Sequence, residues 1–467
     1  MFKLSSCFIA VGAVLSFGAN ATSVEWIQSG WNNVSNNVVY WQQNAAPKVV
    51  NKDHTDYRVI SIDPSKTLQV IDGFGGAINE KGWDAMSGLT PDARDNIVQS
   101  LFGQDGLNLT MARIPIGAND FSMDYYSLDD VAGDYDLKHF SMEREHKYLI
   151  PYLQAAMKYK PKLDVLASPW TPPAWMKANQ FYGCRGSEKD AHLIWDKKTQ
   201  TAYAKYLSKF ATEYQKEGIN LTQIHLQNEP AACQDFPSSK WTGVEMRDFL
   251  RDYLVPQFEK DKQKAQVWLG TINYGDYEAY AKPVLTDPKL KGKIDGVGYQ
   301  WDGKYAIAET HKRHPEIKLM QTESECGDGK NDIAAGLYTF SLIEKYLAGG
   351  ANAYVYWNMV LDSTGNSTWG WKQNSLINID RMAGGKATYN FEYYVMKHFS
   401  NLVKPGAHLL SVNTEEDVLA FKNPDNSIIV VSGNPSYSNK NMTYTLGDKM
   451  FKATLPMMSV SSFIITQ

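Results

Sequence analysis

Between residues 68 and 394, short apolar runs of strand character alternate with longer segments of helical periodicity, at a spacing of roughly 40 residues. This alternation is typical of a parallel sheet whose crossover connections are helices. We predict eight strands, at residues 68–76, 107–116, 163–170, 224–230, 267–273, 294–301, 317–323 and 353–358. They predict an α/β fold of the (β/α)8 TIM-barrel class, with an open doubly wound sheet as the structural alternative.

Helix signals lie between the predicted strands. Thr90 is followed by Pro91, which is the pattern of an N-cap residue with proline in the first helical turn. Longer helices are predicted at residues 142–159 and 198–217, directly before the third and fourth strands. Each helix therefore has the place of a crossover connection between two parallel strands.

The pattern changes on both sides of this region. After residue 394 it becomes short strand-like runs separated by turns rich in Pro, Asn, Asp and Gly. These runs predict a small antiparallel β-sandwich domain over residues 395–467. Residues 22–67 are polar and irregular except for an alternation at 57–63, so we predict that this N-terminal segment contributes a strand to the same β domain.

The first 21 residues have the composition of a signal peptide. Lys3 supplies a positive charge, residues 7–17 form an apolar core, and residues 19–21 are Ala-Asn-Ala, a small-x-small cleavage site. A buried N-terminal strand is the alternative. We expect an exported protein, periplasmic or secreted, and no later run is long enough to predict a transmembrane helix.

The overall composition narrows the function classes. Hydrophobic residues make up 43% and charged residues 21%, which is typical of globular proteins. The formal net charge of −4 provides no basic surface, so we expect no nucleic-acid partner. The 13 Trp and 27 Tyr residues suit stacking on sugar rings, although a large barrel core also buries many aromatic side chains.

The cysteine and histidine residues do not predict a metal site. Once a leader containing Cys7 is removed, Cys184, Cys233 and Cys326 remain; one pair can oxidise, and at least one thiol stays free or pairs elsewhere. The sequence contains no Cys-x-x-Cys spacing or Cys/His cluster, and its histidines are scattered. We therefore expect neither a metal ion nor an organic cofactor.

Two of the predicted strands end in a glutamate. Residues 224–230 form an apolar run closed by Asn228, Glu229 and a proline, which cannot continue a strand ladder. Residues 317–323 end in Glu323. Because active sites of barrels lie at the carboxyl ends of the strands, the two carboxylates predict a glycosidase that uses an acid and a nucleophile.

Each of these assignments has a competing interpretation. Glu229 could instead only cap the segment that follows it. Glu325 has the same strand parity as Glu323, but Glu323 directly ends the apolar run, which favours it as the nucleophile. Asn228, beside the predicted acid, suits a hydrogen bond to a sugar 2-hydroxyl.

Five motifs occur together in one order. They are residues 72–77 (Asp-Gly-Phe-Gly-Gly-Ala), 113–122 (Arg-Ile-Pro-Ile-Gly-Ala-Asn-Asp-Phe-Ser), 167–177 (Ala-Ser-Pro-Trp-Thr-Pro-Pro-Ala-Trp-Met-Lys), 228–230 (Asn-Glu-Pro) and 357–358 (Trp-Asn). Over residues 68 to about 400 the chain resembles glycoside hydrolase family 30, most closely its glucosylceramidase branch. The second and third motifs are the most specific.

The resemblance implies a (β/α)8 barrel with a side β structure built from both termini, and a retaining double displacement. It implies that Glu229 is the acid/base and Glu323 the nucleophile. Arg113 matches an arginine near the catalytic carboxylates, and a permanent positive charge beside Glu323 would hold that carboxylate ionised.

The resemblance also implies sugar-binding residues. Asp120 and Trp170 match residues that bind the sugar next to the scissile bond, and Trp357 matches a wall of that pocket. A loop cap is the alternative for Asp120, and barrel core is the alternative for the two tryptophans. Asn228 and Trp301 complete our substrate-binding candidates.

The chain departs from the glucosylceramidase pattern at two places. Where that branch has His-Trp-Tyr after the sixth strand, residues 300–302 are Gln-Trp-Asp. The tyrosine that would hydrogen-bond the nucleophile is therefore missing, and Tyr299 or Tyr305 is the candidate substitute. The loop of residues 363–374 also differs, so the resemblance says least about the leaving group.

We therefore expect retaining hydrolysis of a β-glucosidic bond, in glucosylceramide or a related β-glucoside. β-1,6-Glucanase, β-xylosidase or xylanase, and β-fucosidase or galactanase action are the alternatives within the family. A non-catalytic carbohydrate-binding protein is the alternative from a different class, but such a protein has no use for two positioned carboxylates. We expect a monomer whose partner is a carbohydrate or glycolipid substrate.

Overall fold

The computed structural model describes residues 22–32, 35–52, 59–184, 188–413 and 417–466. In these ranges the strands form a closed parallel barrel of eight strands, a ten-stranded sheet and a three-stranded sheet. The barrel and the separate, mainly antiparallel sheet confirm the predicted fold class. The predicted leader, residues 1–21, lies outside the described residues.

Four strands precede the barrel: β1 (Ser23–Asn32), β2 (Asn37–Asn44), β3 (Val50–Asn51) and β4 (Ile60–Ile71). β1 pairs with β2 in an antiparallel arrangement and also with the last strand of the chain, Ser459–Thr466. The N-terminal segment therefore pairs with the C-terminal sheet through several strands. Of the alternation at residues 57–63, the first two residues lie outside the described residues, and β4 begins at Ile60.

The barrel consists of β5 (Gly73–Ala77), β6 (Met111–Ile116), β7 (Asp164–Pro169), β8 (Leu221–His225), β9 (Gln266–Ile272), β10 (Gly296–Gln300), β11 (Lys318–Glu323) and β12 (Ala353–Asn358). Neighbouring strands pair in parallel, and β12 pairs with β5 to close the ring. Every residue of β6 and β12 is buried, because a barrel strand is covered on both of its faces.

A separate apolar cluster joins strands of the barrel. It consists of Met111, Leu166, Trp268, Met320, Ala353 and Val355. Because side chains alternate along a strand, Arg113 and Ser168 share a face with Met111 and Leu166, two residues nearer the carboxyl end. The apolar layer therefore gives way to polar groups at the end where barrel active sites lie.

Helices form the outer layer. They are α1 (Glu80–Ser87), α2 (Pro91–Phe102), α3 (Glu143–Lys147), α4 (Leu149–Met157), α5 (Lys197–Lys216), α6 (Gly243–Phe249), α7 (Val255–Asp261), α8 (Ala281–Leu285), α9 (Ile307–Arg313), α10 (Ile333–Ala348) and α11 (Phe391–Ser400). Short 3-10 or π segments lie at Ala174–Met176, Glu188–Asp190, Leu250–Leu254 and Trp301–Tyr305. The start of α2 is confirmed, since the Thr90 hydroxyl accepts from the Ala93 N–H at 3.3 Å.

After the barrel come β13 (Val360–Asp362), β14 (Ile377–Asp380) and β15 (Lys386–Tyr389), which form the three-stranded sheet. They are followed by β16 (Ala407–Val412), β17 (Val418–Lys422), β18 (Ile428–Asn434), β19 (Lys440–Leu446), β20 (Lys449–Leu455) and β21 (Ser459–Thr466). The large sheet has the order β2-β1-β21-β18-β17-β16-β4-β19-β20-β3. His398 on α11 ties this sheet to the barrel, since its ring nitrogens lie 3.0 Å from the Ser29 hydroxyl and 2.7 Å from that of Ser462.

The predicted first barrel strand, residues 68–76, is wrong in its extent. Residues up to Ile71 belong to β4, where Val70 pairs with His408 of the large sheet, and the barrel strand begins at Gly73. The apolar pattern runs on through Asp72, so it gives no signal that the chain leaves one sheet and enters another. At the junction, the Asp72 N–H donates to the Asn352 carbonyl at 2.7 Å.

A disulfide joins Cys184 to Cys233, and Cys326 is a buried free thiol. The sequence had left open which cysteines pair. Cys184 lies in the connection after β7 and Cys233 in the connection after β8. The bond therefore fastens two neighbouring loops at the carboxyl end of the barrel.

Replacing both Cys184 and Cys233 with alanine is expected to lower the apparent Tm by several degrees. The bond spans 49 residues, and the chain-entropy account assigns about 4 kcal/mol to a loop of this length. Thermal unfolding followed by fluorescence measures the change, with Cys326→Ala as the control that removes an unpaired buried thiol. A shift no larger than that of the control would contradict this prediction.

Candidate active site

A cavity of about 580 Å³ opens at the carboxyl ends of the barrel strands. Glu229 and Glu323 both line it. The other lining residues are Asp120, Trp170, Asn228, Ala232, Gln234, Phe236, Asn273, Trp301, Asp302, Gly327, Asp328, Trp371, Lys372 and Gln373. The two glutamates selected from the sequence therefore belong to one pocket.

A second cavity, of about 660 Å³, lies at the opposite end of the barrel. Its carboxylates already have partners: Asp72 forms an ion pair with Lys318 at 2.7 Å, and Asp164 accepts from Asn220 at 3.0 Å. Because it holds no facing pair of glutamates among its lining residues, the pocket around Glu229 and Glu323 is the better candidate for chemistry.

Glu323 is the last residue of β11, and a bulge turns it toward the cavity. Tyr299 pairs with Gln321 but Gln300 pairs with Glu323, so Thr322 is the extra residue on β11. Bulges of this kind re-aim a side chain next to active sites. The bulge explains how a residue at the end of a buried strand reaches the pocket.

Three side-chain donors contact the Glu323 carboxylate. Arg113 Nη1 lies 2.9 Å and Gln300 Nε2 3.1 Å from Oε2, while Trp301 Nε1 lies 3.2 Å from Oε1. Burial raises the pKa of Glu323, and the Arg113 charge together with these donors opposes that rise. The donors favour the ionised form of this carboxyl group.

Glu229 reaches the pocket by a different route. β8 ends at His225, and the chain continues between its neighbours, with the Asn228 N–H donating to the Pro169 carbonyl at 2.8 Å and the Glu229 N–H to the Thr271 carbonyl at 3.1 Å. Glu229 itself has a left-handed φ of 46°. Non-glycine residues held in this region carry strain and concentrate at functional sites.

Fewer hydrogen-bond donors stabilise the ionised form of Glu229 than that of Glu323. Its carboxylate accepts one side-chain hydrogen bond, from Gln300 Nε2 at 3.0 Å. Burial, and then the charge of Glu323, raise the pKa of Glu229 to about 8. When the pair holds a single proton, that proton therefore lies on Glu229 and the charge on Glu323.

Gln300 holds the two glutamates together. Its fully buried Nε2 contacts both carboxylates, so the two facing oxygens are no more than about 6 Å apart. Its Oε1 accepts from Thr322 Oγ1 at 2.9 Å and from Arg113 Nη1 at 3.2 Å, which fixes the amide. Apart from the departure at residue 300, no sequence pattern predicts this role for Gln300.

Arg113 is fully buried beneath the pocket. Besides Glu323, it contacts Asn228 Oδ1 at 2.6 Å and Ser168 Oγ at 3.0 Å. Its guanidinium carbon lies 4.7 Å from the centroid of the Trp170 ring. The planar group therefore positions a carboxylate and an amide while packing on an aromatic face.

Replacing Arg113 with methionine is expected to destabilise the fold by about 3 kcal/mol or more, because the buried Glu323 carboxylate loses its partner. The pKa of Glu323 then rises further. Since the base form of that group is the active one in our account, the acidic limb of the kcat/KM profile moves to higher pH.

Chemical denaturation and a pH–rate profile measure these two effects. Arg113→Lys retains the positive charge, so it is expected to shift the acidic limb of the kcat/KM profile less than Arg113→Met does. Arg94→Met is the control, since Arg94 also packs over a tryptophan, Trp83, at 5.1 Å, but on the outer helix α2. An acidic limb unmoved in Arg113→Met would contradict the prediction.

Of the sugar-binding residues predicted from the resemblance, two line the cavity and Trp357 does not. Asp120 and Trp170 line the cavity. Asp120 Oδ1 is buried without a hydrogen-bond partner, and burial together with the charges of Glu323 and Glu229 raises the Asp120 pKa well above its usual range. Trp357 does not line the cavity; its ring stacks against Trp170 at 5.4 Å between centroids, behind the pocket wall.

Neither candidate for the missing tyrosine reaches Glu323. The Tyr299 hydroxyl is buried against Thr310 Oγ1 at 2.6 Å, and the Tyr305 side chain is 60% exposed. Trp301 donates to Glu323 instead, through its indole N–H. The backbone of Trp301 has a left-handed φ of 49°. Glu325 lies outside the cavity, where Lys304 and Tyr338 contact it at 2.5 Å.

Several lining residues come from loops that the sequence did not single out as a site. Phe236 follows β8, and Asp328 follows β11. Trp371, Lys372 and Gln373 lie between β13 and β14. Loop residues have no periodic pattern, so only the aromatic content of these segments could have drawn attention to them. The loop of residues 363–374, which contains Trp371, was noted only because it departs from the glucosylceramidase pattern.

The described ranges lack two further features. In them, no group of three or more His, Cys, Asp or Glu side chains is arranged to hold a metal ion. None of the helices described there has the length and apolar character needed to cross a membrane.

Most of the chain is similar in sequence to known proteins. Residues 71–403 match the Glycosyl hydrolase family 30 TIM-barrel domain. The chain is 31% identical over 413 residues to putative glucosylceramidase 2 of Caenorhabditis elegans, covering 82% of this chain and 78% of that protein. It is 27% identical over 365 residues to an endo-1,6-beta-D-glucanase of Neurospora crassa, covering 74% and 73%.

Solved structures show the same fold. SrfJ from Salmonella typhimurium superimposes with a TM-score of 0.87 at 23% identity, covering 96% of this chain and all of that one. The endo-beta1,6-glucanase BT3312 superimposes with a TM-score of 0.81 at 23% identity, covering 95% of this chain and 99% of that one.

Proposed function

The chain belongs to glycosyl hydrolase family 30, and from this we propose that it hydrolyses a β-glucosidic bond with retention of anomeric configuration. The observation that carries the proposal is that one amide, that of Gln300, holds the carboxylates of Glu229 and Glu323 in one pocket. Their facing oxygens are no more than about 6 Å apart, whereas inverting glycosidases separate their carboxyl groups by roughly 6.5–9.5 Å. The shorter spacing fits a retaining enzyme, in which Glu323 itself bonds to the anomeric carbon and no water has to fit between that carboxylate and the sugar in the first step.

In the first step, a Glu323 carboxylate oxygen attacks the anomeric carbon as the bond to the leaving oxygen breaks. Glu229 transfers its proton to that oxygen, so the leaving group departs as a neutral alcohol. The raised pKa of Glu229 supplies the protonated acid at neutral pH, and the three donors on Glu323 supply the ionised nucleophile.

In the second step, Glu229, now ionised, removes a proton from water as the water oxygen attacks the anomeric carbon. The bond to Glu323 breaks and both groups return to their initial states. Gln300 Nε2 contacts both carboxyl groups, so it can donate to Glu323 when that group is ionised and to Glu229 when the charge lies there. The amide itself does not titrate.

Two groups in the pocket fit a sugar hydroxyl. Asp120 Oδ1 is a buried acceptor without a partner, and a hydroxyl donor would satisfy it. Asn228 Oδ1 already accepts from Arg113, Thr271 and Gln300, so its Nδ2 group is the one that serves a substrate oxygen. Trp170 supplies an apolar ring face at the same pocket.

The proposed substrate is glucosylceramide or a related β-glucoside. The similarity to the putative glucosylceramidase of C. elegans supports it. A β-1,6-glucan is the second candidate, supported by the similarity to the N. crassa endo-1,6-beta-D-glucanase and by the cavity's extension beyond the two glutamates.

Proton NMR during hydrolysis of an aryl β-glucoside tests the proposal. We expect the β-anomer of free glucose to appear first, with the α-anomer following at the rate of spontaneous mutarotation. Initial formation of α-glucose would show inversion and reject the double displacement, and absence of any hydrolysis of β-glucosides would reject the substrate class.

A further inference from the structure

The cavity continues beyond the two glutamates into a region that we call the outer cleft. It is lined by Ala232, Gln234, Phe236, Asp328, Trp371 and Lys372. Ala232, Gln234 and Phe236 belong to the loop that begins at Glu229. In this loop the Ala232 N–H donates to the Glu229 carbonyl at 2.9 Å. The outer cleft therefore lies next to the proposed acid, which is where a leaving group must sit.

Two aromatic rings form the apolar part of the outer cleft. The Phe236 and Trp371 rings lie 5.0 Å apart between centroids at an interplanar angle of 51°, and both are half-buried. They come from different loops: Phe236 follows β8, and Trp371 lies between β13 and β14. Rings in this arrangement offer two faces to a flat or chair-shaped ligand.

Both loops are held in place without a ligand. Beside Phe236, the disulfide fixes Cys233, and the buried Lys177 ammonium donates to the Ser238 carbonyl at 2.6 Å. Beside Trp371, the Ser367 hydroxyl accepts from the Trp371 N–H at 3.2 Å, and the Gln373 N–H donates to the Gly365 carbonyl at 3.0 Å. A preformed site loses less entropy on binding than a mobile one.

The rest of the outer cleft is polar. Asp328 and Lys372 are exposed charged residues, and Gln234 adds an exposed amide. Acyl and sphingoid chains gain affinity only from continuous apolar surface, and they would cover these groups without offering them a hydrogen bond. A sugar suits a cleft with both aromatic and polar side chains, because its C–H face packs on a ring while its hydroxyls form hydrogen bonds with the polar groups.

We propose that the outer cleft is a binding subsite for a saccharide leaving group, so that the substrate is a β-linked glucose oligosaccharide or glucan in preference to a glycolipid. This inference rests on the proposed function and narrows it to one of its two substrate classes. Phe236 and Trp371 are its specificity-determining residues, and they act on the leaving group alone.

The test compares three kinds of substrate in the full-length enzyme. β-Glucosyl fluoride has a leaving group too small to use the outer cleft, so it reports the glucosyl pocket and the two glutamates. β-1,3-, β-1,4- and β-1,6-linked glucotrioses report the outer cleft, and the one cleaved best serves as the probe. Short-chain glucosylceramide in detergent micelles represents the glycolipid.

We expect kcat/KM for the best glucotriose to exceed that for glucosylceramide. In Trp371→Ala and Phe236→Ala, the ratio of kcat/KM for that glucotriose to kcat/KM for the fluoride is expected to fall roughly tenfold. Trp369→Ala is the matched control. Trp369 lies in the same loop but packs on Tyr125 at 5.2 Å and does not line the cavity, so the ratio stays within about twofold of wild type.

Faster turnover of glucosylceramide than of every glucotriose would overturn the inference while leaving the proposed function intact. A ratio of kcat/KM for the glucotriose to that for the fluoride that is unchanged in both Trp371→Ala and Phe236→Ala would also overturn the inference and leave the proposed function intact. Failure of the wild-type enzyme to hydrolyse the fluoride would instead overturn the proposed function, and this inference with it.

Discussion

Replacing Glu323 with alanine is expected to lower kcat for an aryl β-glucoside by roughly 10⁴-fold or more, because the covalent step loses its nucleophile. The same variant offers a second observation. Azide can enter the space left by the carboxylate and attack the anomeric carbon, restoring turnover and giving an α-glucosyl azide. The inverted product arises because only one displacement then occurs.

Glu325→Ala is the matched control for this prediction. Glu325 lies two residues further along the chain, but its carboxylate contacts Lys304 and Tyr338 outside the cavity. We expect its kcat to stay within about threefold of wild type. Loss of activity in Glu325→Ala with activity retained in Glu323→Ala would reverse the assignment of the two carboxylates.

Replacing Glu229 with glutamine is expected to lower kcat/KM by roughly 10²–10⁴-fold for a substrate with a poor leaving group, because protonation of the departing oxygen is lost. For a dinitrophenyl β-glucoside, whose leaving group needs no proton, the first step is expected to proceed almost unimpaired. Steady-state turnover is then limited by the second step, so a burst of dinitrophenolate precedes it.

The pH profile distinguishes this role from a structural one. Glu229 has a pKa of about 8, so its protonated form is present below that pH and is lost above it. The wild-type kcat/KM is therefore expected to fall as the pH rises through about 8, and this basic limb disappears in Glu229→Gln. A basic limb that persists unchanged in the variant would contradict the assignment.

Glu145→Gln is the control for the pH profile. Glu145 is also buried, and burial raises its pKa to about 7. Its carboxylate, however, accepts from the hydroxyls of Tyr126 and Tyr214 and does not line the cavity. The basic limb is expected to remain in this variant whatever its effect on stability.

Much of the barrel could be predicted from the sequence, because each strand–helix unit has its own local pattern. The boundary near Asp72 could not, since apolar alternation shows that a segment is a strand but not which sheet it joins. The end of β8 was also misplaced. The strand stops at His225. The segment to Glu229 is held by one backbone hydrogen bond to β7 and three with β9, and these leave no mark on the residue pattern.

Within the pocket, the two glutamates could be selected because each follows an apolar run at a strand end. Gln300 could not, because an amide between two carboxylates has no characteristic spacing. Trp301 was named, but its contact with Glu323 depends on a left-handed backbone conformation that the sequence does not signal. Phe236 and Trp371 meet only because two loops approach each other in the folded chain.

The assignment of the ester-forming group can be measured most directly by trapping the intermediate. A 2-deoxy-2-fluoro-β-glucosyl fluoride reacts in the first step and hydrolyses slowly in the second, so the labelled enzyme can be digested and its peptides sequenced by mass spectrometry. We expect one added fluoroglucosyl group per chain, on the peptide containing Glu323 and at that residue. A label on Glu229, or on a residue outside the pocket, would contradict it.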